Sequence, residues 1–258
     1  MGSVRILVTG HRERGIAARH ADRAVGVTGL PAEIRQIATT VAVPYHEPPA
    51  VVIRRRIVVA VVLVIGAAVL GFTLTRRPGE PSFIWLTFLL AAVWTVGAFA
   101  PGPLHLGSIR WRGRNQRPVI TPTVIGLLLA AAFVVGGFLA REIGPVRELI
   151  TGVVEYSRYG SLWLLVVITA VNGIAEELFF RGALYTALGR FYPVAVSTAL
   201  YVAATLASGN PMLGVAAIIL GTVCALERRA TGGVLAPALT HFVWGLVMLL
   251  ALPAVFGL

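Results

Sequence analysis

"AVNGIAEELFFRGAL", residues Ala170–Leu184, sets two adjacent glutamates and an arginine inside one of the most apolar parts of the chain. A charge at the centre of a membrane helix costs about 2.5–3.5 kcal/mol on insertion scales, so three together demand a compensating arrangement. The residues on either side decide whether that demand applies. The chain is 57% hydrophobic and 13% charged over 258 residues, with a mean hydropathy of +0.84. Those values lie far outside soluble globular usage. Uncharged runs cover Ile57–Thr75, Pro81–Ile109, Pro118–Ala140, Tyr159–Ala175, Phe191–Leu226 and Ala230–Leu258. About 20 apolar residues cross a bilayer, so most of these runs can span one. "SGNP" (Ser208–Pro211) breaks the longest of them with turn chemistry.

The expectation is an all-α, polytopic membrane protein with about seven transmembrane helices, near 57–75, 82–100, 119–140, 159–189, 191–207, 212–227 and 233–255. The formal charge of +11 is an orientation signal and implies no nucleic-acid partner. All 22 basic residues are arginine. With the amino terminus inside, 16 of them fall on inner segments, five (Arg76, Arg77, Arg141, Arg147, Arg158) fall outside, and Arg181 lies within the membrane. The carboxy terminus is then outside, and the expected location is a bacterial inner membrane.

Residues 1–50 read as a disordered basic tail preceding a transmembrane domain at 51–258. "VRILVTGHRERG" near the start has only Gly10 and Gly15 and no following βαβ pattern, so it is not a nucleotide-binding turn. Between the third and fourth spans, Val146, Leu149, Ile150, Val153 and Val154 keep helical spacing among charges. That pattern predicts an amphipathic helix lying on the outer interface. Cys224, the lone cysteine, reads as a small core residue.

On a helix, Glu177 and Arg181 are four apart and share a face, so they can pair. Glu176 lies about 100° round and shares its face with Asn172 and Phe180. It has no local counter-charge and is the candidate general base. His241 is the only histidine in an expected span. Counted from the inner helix ends, Glu176, His241 and Thr205 lie at about 20, 17 and 18 Å. Three helices thereby carry polar groups at one level, as a buried site requires.

"EELFFR" (176–181), "VSTALYVAATLASGN" (196–210) and "VLAPALTHFVWG" (234–245) together resemble the CPBP intramembrane proteases. That family includes the CAAX prenyl endopeptidases and bacteriocin-processing or self-immunity proteins, and the resemblance covers about residues 159–258. It implies an intramembrane endopeptidase acting on membrane-tethered or prenylated peptides. By position, Glu176 would activate the attacking water, with Glu177 and Arg181 in support. His241 would belong to the catalytic histidine pair or the oxyanion site.

Two positions depart from the family pattern. With three residues between, Tyr201 is followed by Thr205 where the family has histidine, and His241 by Gly245 where it has asparagine or a similar polar residue. Zinc is possible by resemblance only, because the chain has no HExxH helix; a glutamate-activated water suits its residues better. Two alternatives remain: a pseudoprotease or scaffold that keeps the fold to hold a partner, and a proton-coupled transporter with Glu176 as relay.

Overall fold

The computed structural model describes residues 49–111 and 114–258, so the tail expected at 1–50 lies outside the described residues apart from its last two. α1 (Pro49–Thr73) and α2 (Pro81–Phe99) form the first antiparallel pair. A short antiparallel hairpin follows, β1 (Ile109–Trp111) and β2 (Arg114–Gln116), with Ile109 opposite Gln116. α3 (Ile120–Ala140) leads to α4 (Gly144–Val154) and a 3₁₀ turn at Glu155–Arg158. α5 (Leu162–Glu177) continues through a π-helical segment, Leu178–Leu184, into α6 (Tyr185–Leu188). α7 (Pro193–Leu206), α8 (Pro211–Thr231) and α9 (Leu235–Phe256) complete the chain.

Among the described residues, six helical stretches are long and apolar enough to cross a membrane: α1, α2, α3, the continuous Leu162–Leu188, α8 and α9. This is an integral membrane protein of the all-α class. All seven expected helices form, but α7 has 14 residues, about 21 Å against a hydrocarbon core of about 30 Å. Pro193 opens it after Tyr192, which sits in the left-handed region at φ 41°. Two helices outrun their apolar segments. α1 starts at Pro49 and carries Arg54, Arg55 and Arg56, and α8 runs through Glu227, Arg228 and Arg229 to Thr231. Charge ends an apolar run without ending a helix, because arginine and glutamate are good helix formers.

The centre of the bundle is α5 with its π segment. α2, α7, α8 and α9 pack around it, and α3 lies against α9. The two phenylalanines of "EELFFR" anchor it: Phe179 and Phe180 pack at a tilt against Trp94 of α2, with ring centroids 4.7 and 5.1 Å away. Phe180 also meets Tyr201 of α7 edge-on at 4.9 Å. All four side chains are buried.

α4 is the amphipathic helix expected between the third and fourth spans. Asn210 Nδ2 donates to the Leu149 carbonyl at 2.8 Å. Tyr156 stacks on Phe83 at 4.3 Å and donates its hydroxyl to the Arg76 carbonyl. Trp85 and Trp163 stand exposed at this end of the bundle, and Phe191 and Tyr192 at the other. Exposed aromatics at both ends match the two interfacial belts of a membrane protein.

The topology gives a direct test. If α7 crosses despite its length, a reporter fused after Leu258 is active only outside the cytoplasm. A cytoplasmic signal would mean that α7 turns back within the membrane and that the arginine asymmetry was misread.

Candidate active site

Ser161 caps α5 by accepting from the Leu164 amide, and the helix then runs to the two glutamates. Glu177 is fully buried. Its Oε1 accepts from Arg181 Nη1 at 2.8 Å and lies 3.0 Å from His241 Nδ1 on α9. Arg181, equally buried, donates Nη2 to the Gly221 carbonyl of α8 at 2.9 Å. Its guanidinium sits 4.6 Å from the Tyr201 ring centroid. One ion pair therefore touches α7, α8 and α9. The π segment widens the helix where Arg181 leaves it, and the Arg181 carbonyl accepts from Arg228 Nε at 2.7 Å. Single π turns recur at functional sites because they redirect side chains and expose backbone acceptors.

Two glycines make the approach possible. A Cβ on Gly221 would stand 3.0 Å from the Tyr201 ring and 3.1 Å from Arg181 Nη2. A Cβ on Gly173 would stand 3.2 Å from His241 Cδ2. Close backbone approach of this kind is how helices associate in lipid, where no hydrophobic force drives them together.

Glu176 points elsewhere. Its Oε2 accepts from the Tyr201 hydroxyl at 2.8 Å, and no described residue hydrogen-bonds its Oε1. Glu176, His241, Asn172, Thr169, Trp244 and Gly245 line one cavity of about 320 Å³. It extends towards Phe83, Tyr156 and Pro253, the end of the bundle that carries α4. Asn172 donates Nδ2 to the Ile168 carbonyl at 3.0 Å. The buried Asn172 Oδ1 and Trp244 Nε1 have no partner among the described residues. Two wall residues thus offer an acceptor and a donor that a peptide unit could use.

Of the six residues singled out from sequence, Glu177 pairs with Arg181, and Glu176 and Asn172 line one cavity. His241 shares that cavity, but its hydrogen bond goes to Glu177. Thr205 is not among the lining residues, and its hydroxyl donates to the Tyr201 carbonyl at 2.9 Å. Tyr201, one turn earlier, reaches Glu176 instead. Its sequence signal was an aromatic residue with a polar tip in an apolar helix, which needs a partner when buried. Ser208 and Asn210 are held in the turn before α8, where Asn210 Oδ1 caps the helix by accepting from the Met212 amide. Glu227, buried on α8, was not expected: its Oε1 lies 2.7 Å from the Thr240 hydroxyl. That hydroxyl is also 3.0 Å from the Pro122 carbonyl, tying α8, α9 and α3 together.

The residues do not fit a catalytic zinc. Such a site takes three protein ligands, and no group of three His, Cys, Asp or Glu that could hold a metal occurs among the described residues. Glu177 Oε1 is already shared by two nitrogens, which leaves Glu176 and His241 as the carboxylate and imidazole that line the cavity.

The described residues thus form an all-α membrane bundle in which a carboxylate, Glu176, lines an internal cavity. Residues 158–247 match the family model described as "Type II CAAX prenyl endopeptidase Rce1-like", a likeness over that region that supports a relation to the CPBP intramembrane proteases. No curated protein and no solved structure matches the chain.

The geometry separates the two glutamates experimentally. Glu177→Ala strands Arg181 in a low-dielectric interior and is expected to destabilise the fold by about 3–5 kcal/mol, read as lost membrane accumulation. Glu176→Gln keeps the shape and the Tyr201 hydrogen bond and should accumulate as wild type does. Equal losses in both would contradict the division of roles.

Proposed function

We propose that the protein is an intramembrane endopeptidase in which Glu176 activates water against a peptide bond. The reading is supported by one observation above all: Glu176 lines the cavity with one carboxylate oxygen held by Tyr201 and the other open, while Glu177 beside it is buried away from the cavity, with Oε1 shared by Arg181 and His241 and Oε2 without a partner among the described residues. The Tyr201 hydroxyl fixes Oε2, which orients Oε1 to take a proton from a water in the cavity. That water attacks the amide carbonyl carbon. The proton passes from Glu176 to the departing amine as the C–N bond breaks, so the carboxylate is regenerated. Glu177 Oε1 accepts from Arg181, and His241 Nδ1–H is its second donor, which leaves Nε2 facing the cavity for the water or the developing oxyanion. The family likeness and the apolar walls support membrane-tethered peptides, prenylated ones included, as the substrate class. Arginine asymmetry supports a cytoplasmic amino terminus, and the location proposed is a bacterial inner membrane.

A second reading, a pseudoprotease, is favoured by two particulars. Gly245 lines the cavity without a side chain to offer, and the Thr205 hydroxyl is bound to its own helix. Removing one oxyanion donor typically lowers the rate about 10²–10³-fold. Slow turnover is therefore expected of the wild-type protein.

Both readings meet in one assay, cleavage of a membrane-tethered peptide by the purified protein in vesicles. Glu176→Gln should lower the rate about 10²–10⁴-fold, the usual contribution of a general base. Tyr201→Phe removes one hydrogen bond to a charged group and should lower it about ten- to a hundredfold without loss of accumulation. Gly245→Asn should raise it, since a Cβ there meets only Thr169 Cγ2, at 3.2 Å. A wild-type protein no faster than Glu176→Gln would leave the pseudoprotease.

A further inference from the structure

Away from the active-site cavity, a groove of about 450 Å³ opens on the lipid-facing side between α1, α6 and α7. Val59, Ala60 and Leu63 form one wall, and Leu184, Leu188 and Leu200 the other. Residues 56, 59, 60 and 63 lie on one face of α1 and span about 10 Å along its axis. Arg56 closes the groove at its arginine-rich end. Its Nε donates to the Ala187 carbonyl at 3.1 Å, which fixes the guanidinium in place. Its two Nη groups make no hydrogen bond to the described residues and are free to grip an oxyanion in the fork geometry that arginine offers phosphates.

The surrounding charge selects the occupant. Arg54 of the same end donates to the Pro101 carbonyl at 3.2 Å, and Arg190 lies in the adjoining loop beside Phe191, a groove residue. The described acids outside the core are Glu80, Glu142, Glu148 and Glu155, and all of them sit on segments at the opposite end of the helices. Exposed Phe191 and Tyr192 mark the headgroup level at the arginine end. The groove walls are helices whose backbone groups are already bonded, so an extended peptide would gain no main-chain hydrogen bonds there. An acyl chain needs none.

We propose that this groove binds one anionic glycerophospholipid, with its phosphate on the Nη groups of Arg56 and one acyl chain along Val59–Leu63. The lipid would fill the gap between α1 and the α6–α7 turn, which no side chain of the described residues fills.

The test is native mass spectrometry of the full chain taken from nanodiscs of phosphatidylglycerol and phosphatidylcholine. Wild type should retain one phosphatidylglycerol. Arg56→Ala should reduce retention at least about fivefold, the effect of one arginine at an anionic surface. Ala60→Trp, which fills the groove and leaves the Arg56–Ala187 hydrogen bond in place, should reduce it similarly. Arg110→Ala, on the exposed hairpin of the same end, should leave retention unchanged and so controls for general attraction. Equal retention in all four proteins, or equal retention of phosphatidylcholine, overturns the proposal. So does displacement of the bound lipid by a farnesylated peptide at equimolar concentration, which would assign the groove to a substrate chain.

Discussion

Everything in the bundle's centre depends on one oxygen. Glu177 Oε1 lies 2.8 Å from Arg181 Nη1 and 3.0 Å from His241 Nδ1, with no exposure to solvent or lipid. Breaking a buried ion pair on one side is strongly destabilising, because the remaining charge has nowhere to go. Here the same pair also fixes helix positions: Arg181 holds Gly221 of α8 and lies over Tyr201 of α7, while His241 brings in α9. Adjacency then does the rest. A residue next to Glu177 on a helix faces about 100° away, so anchoring Glu177 in the core directs Glu176 to the cavity. The engaged glutamate creates the available one.

Much of the fold was legible because a bilayer imposes the strictest rule a sequence can follow: spanning segments must be apolar and must bond their own backbone. The uncharged runs gave the seven helices, and the amphipathic spacing at 146–154 gave α4. What failed was local. Arginines ended the apolar runs at 54–56 and 228–229 but not the helices. The hairpin at 109–116 has strands of three residues, too short to show alternation. The π segment has no composition signal, since "LFFRGAL" reads equally well as α-helix.

The site was legible in pieces. The four-residue spacing of Glu177 and Arg181 announced their pair. The lone histidine of the expected spans drew attention from sequence; in the structure its hydrogen-bond partner is Glu177, whereas the expectation had centred on Glu176. Thr205 was chosen by counting depth from helix ends, which assumes parallel helices of full length; α7 is short and crosses so that Tyr201 meets Glu176. Glu227 and Thr240 are 13 positions apart on different helices, and "ERR" looks interfacial, so no sequence rule joins them. The departures at Thr205 and Gly245 were visible at once. In the structure, Tyr201 occupies the contact with Glu176, whereas position 245 remains bare.

The central claim, that Glu177 organises the site through Arg181, is tested most directly by a double-mutant cycle on the reconstituted protein. Unfolding stability would be measured for Glu177→Met, Arg181→Met and the pair together. The account predicts that each single variant is strongly destabilised and that the double variant recovers much of the loss, because no buried charge is left without its partner. Additive losses in the double variant would contradict it.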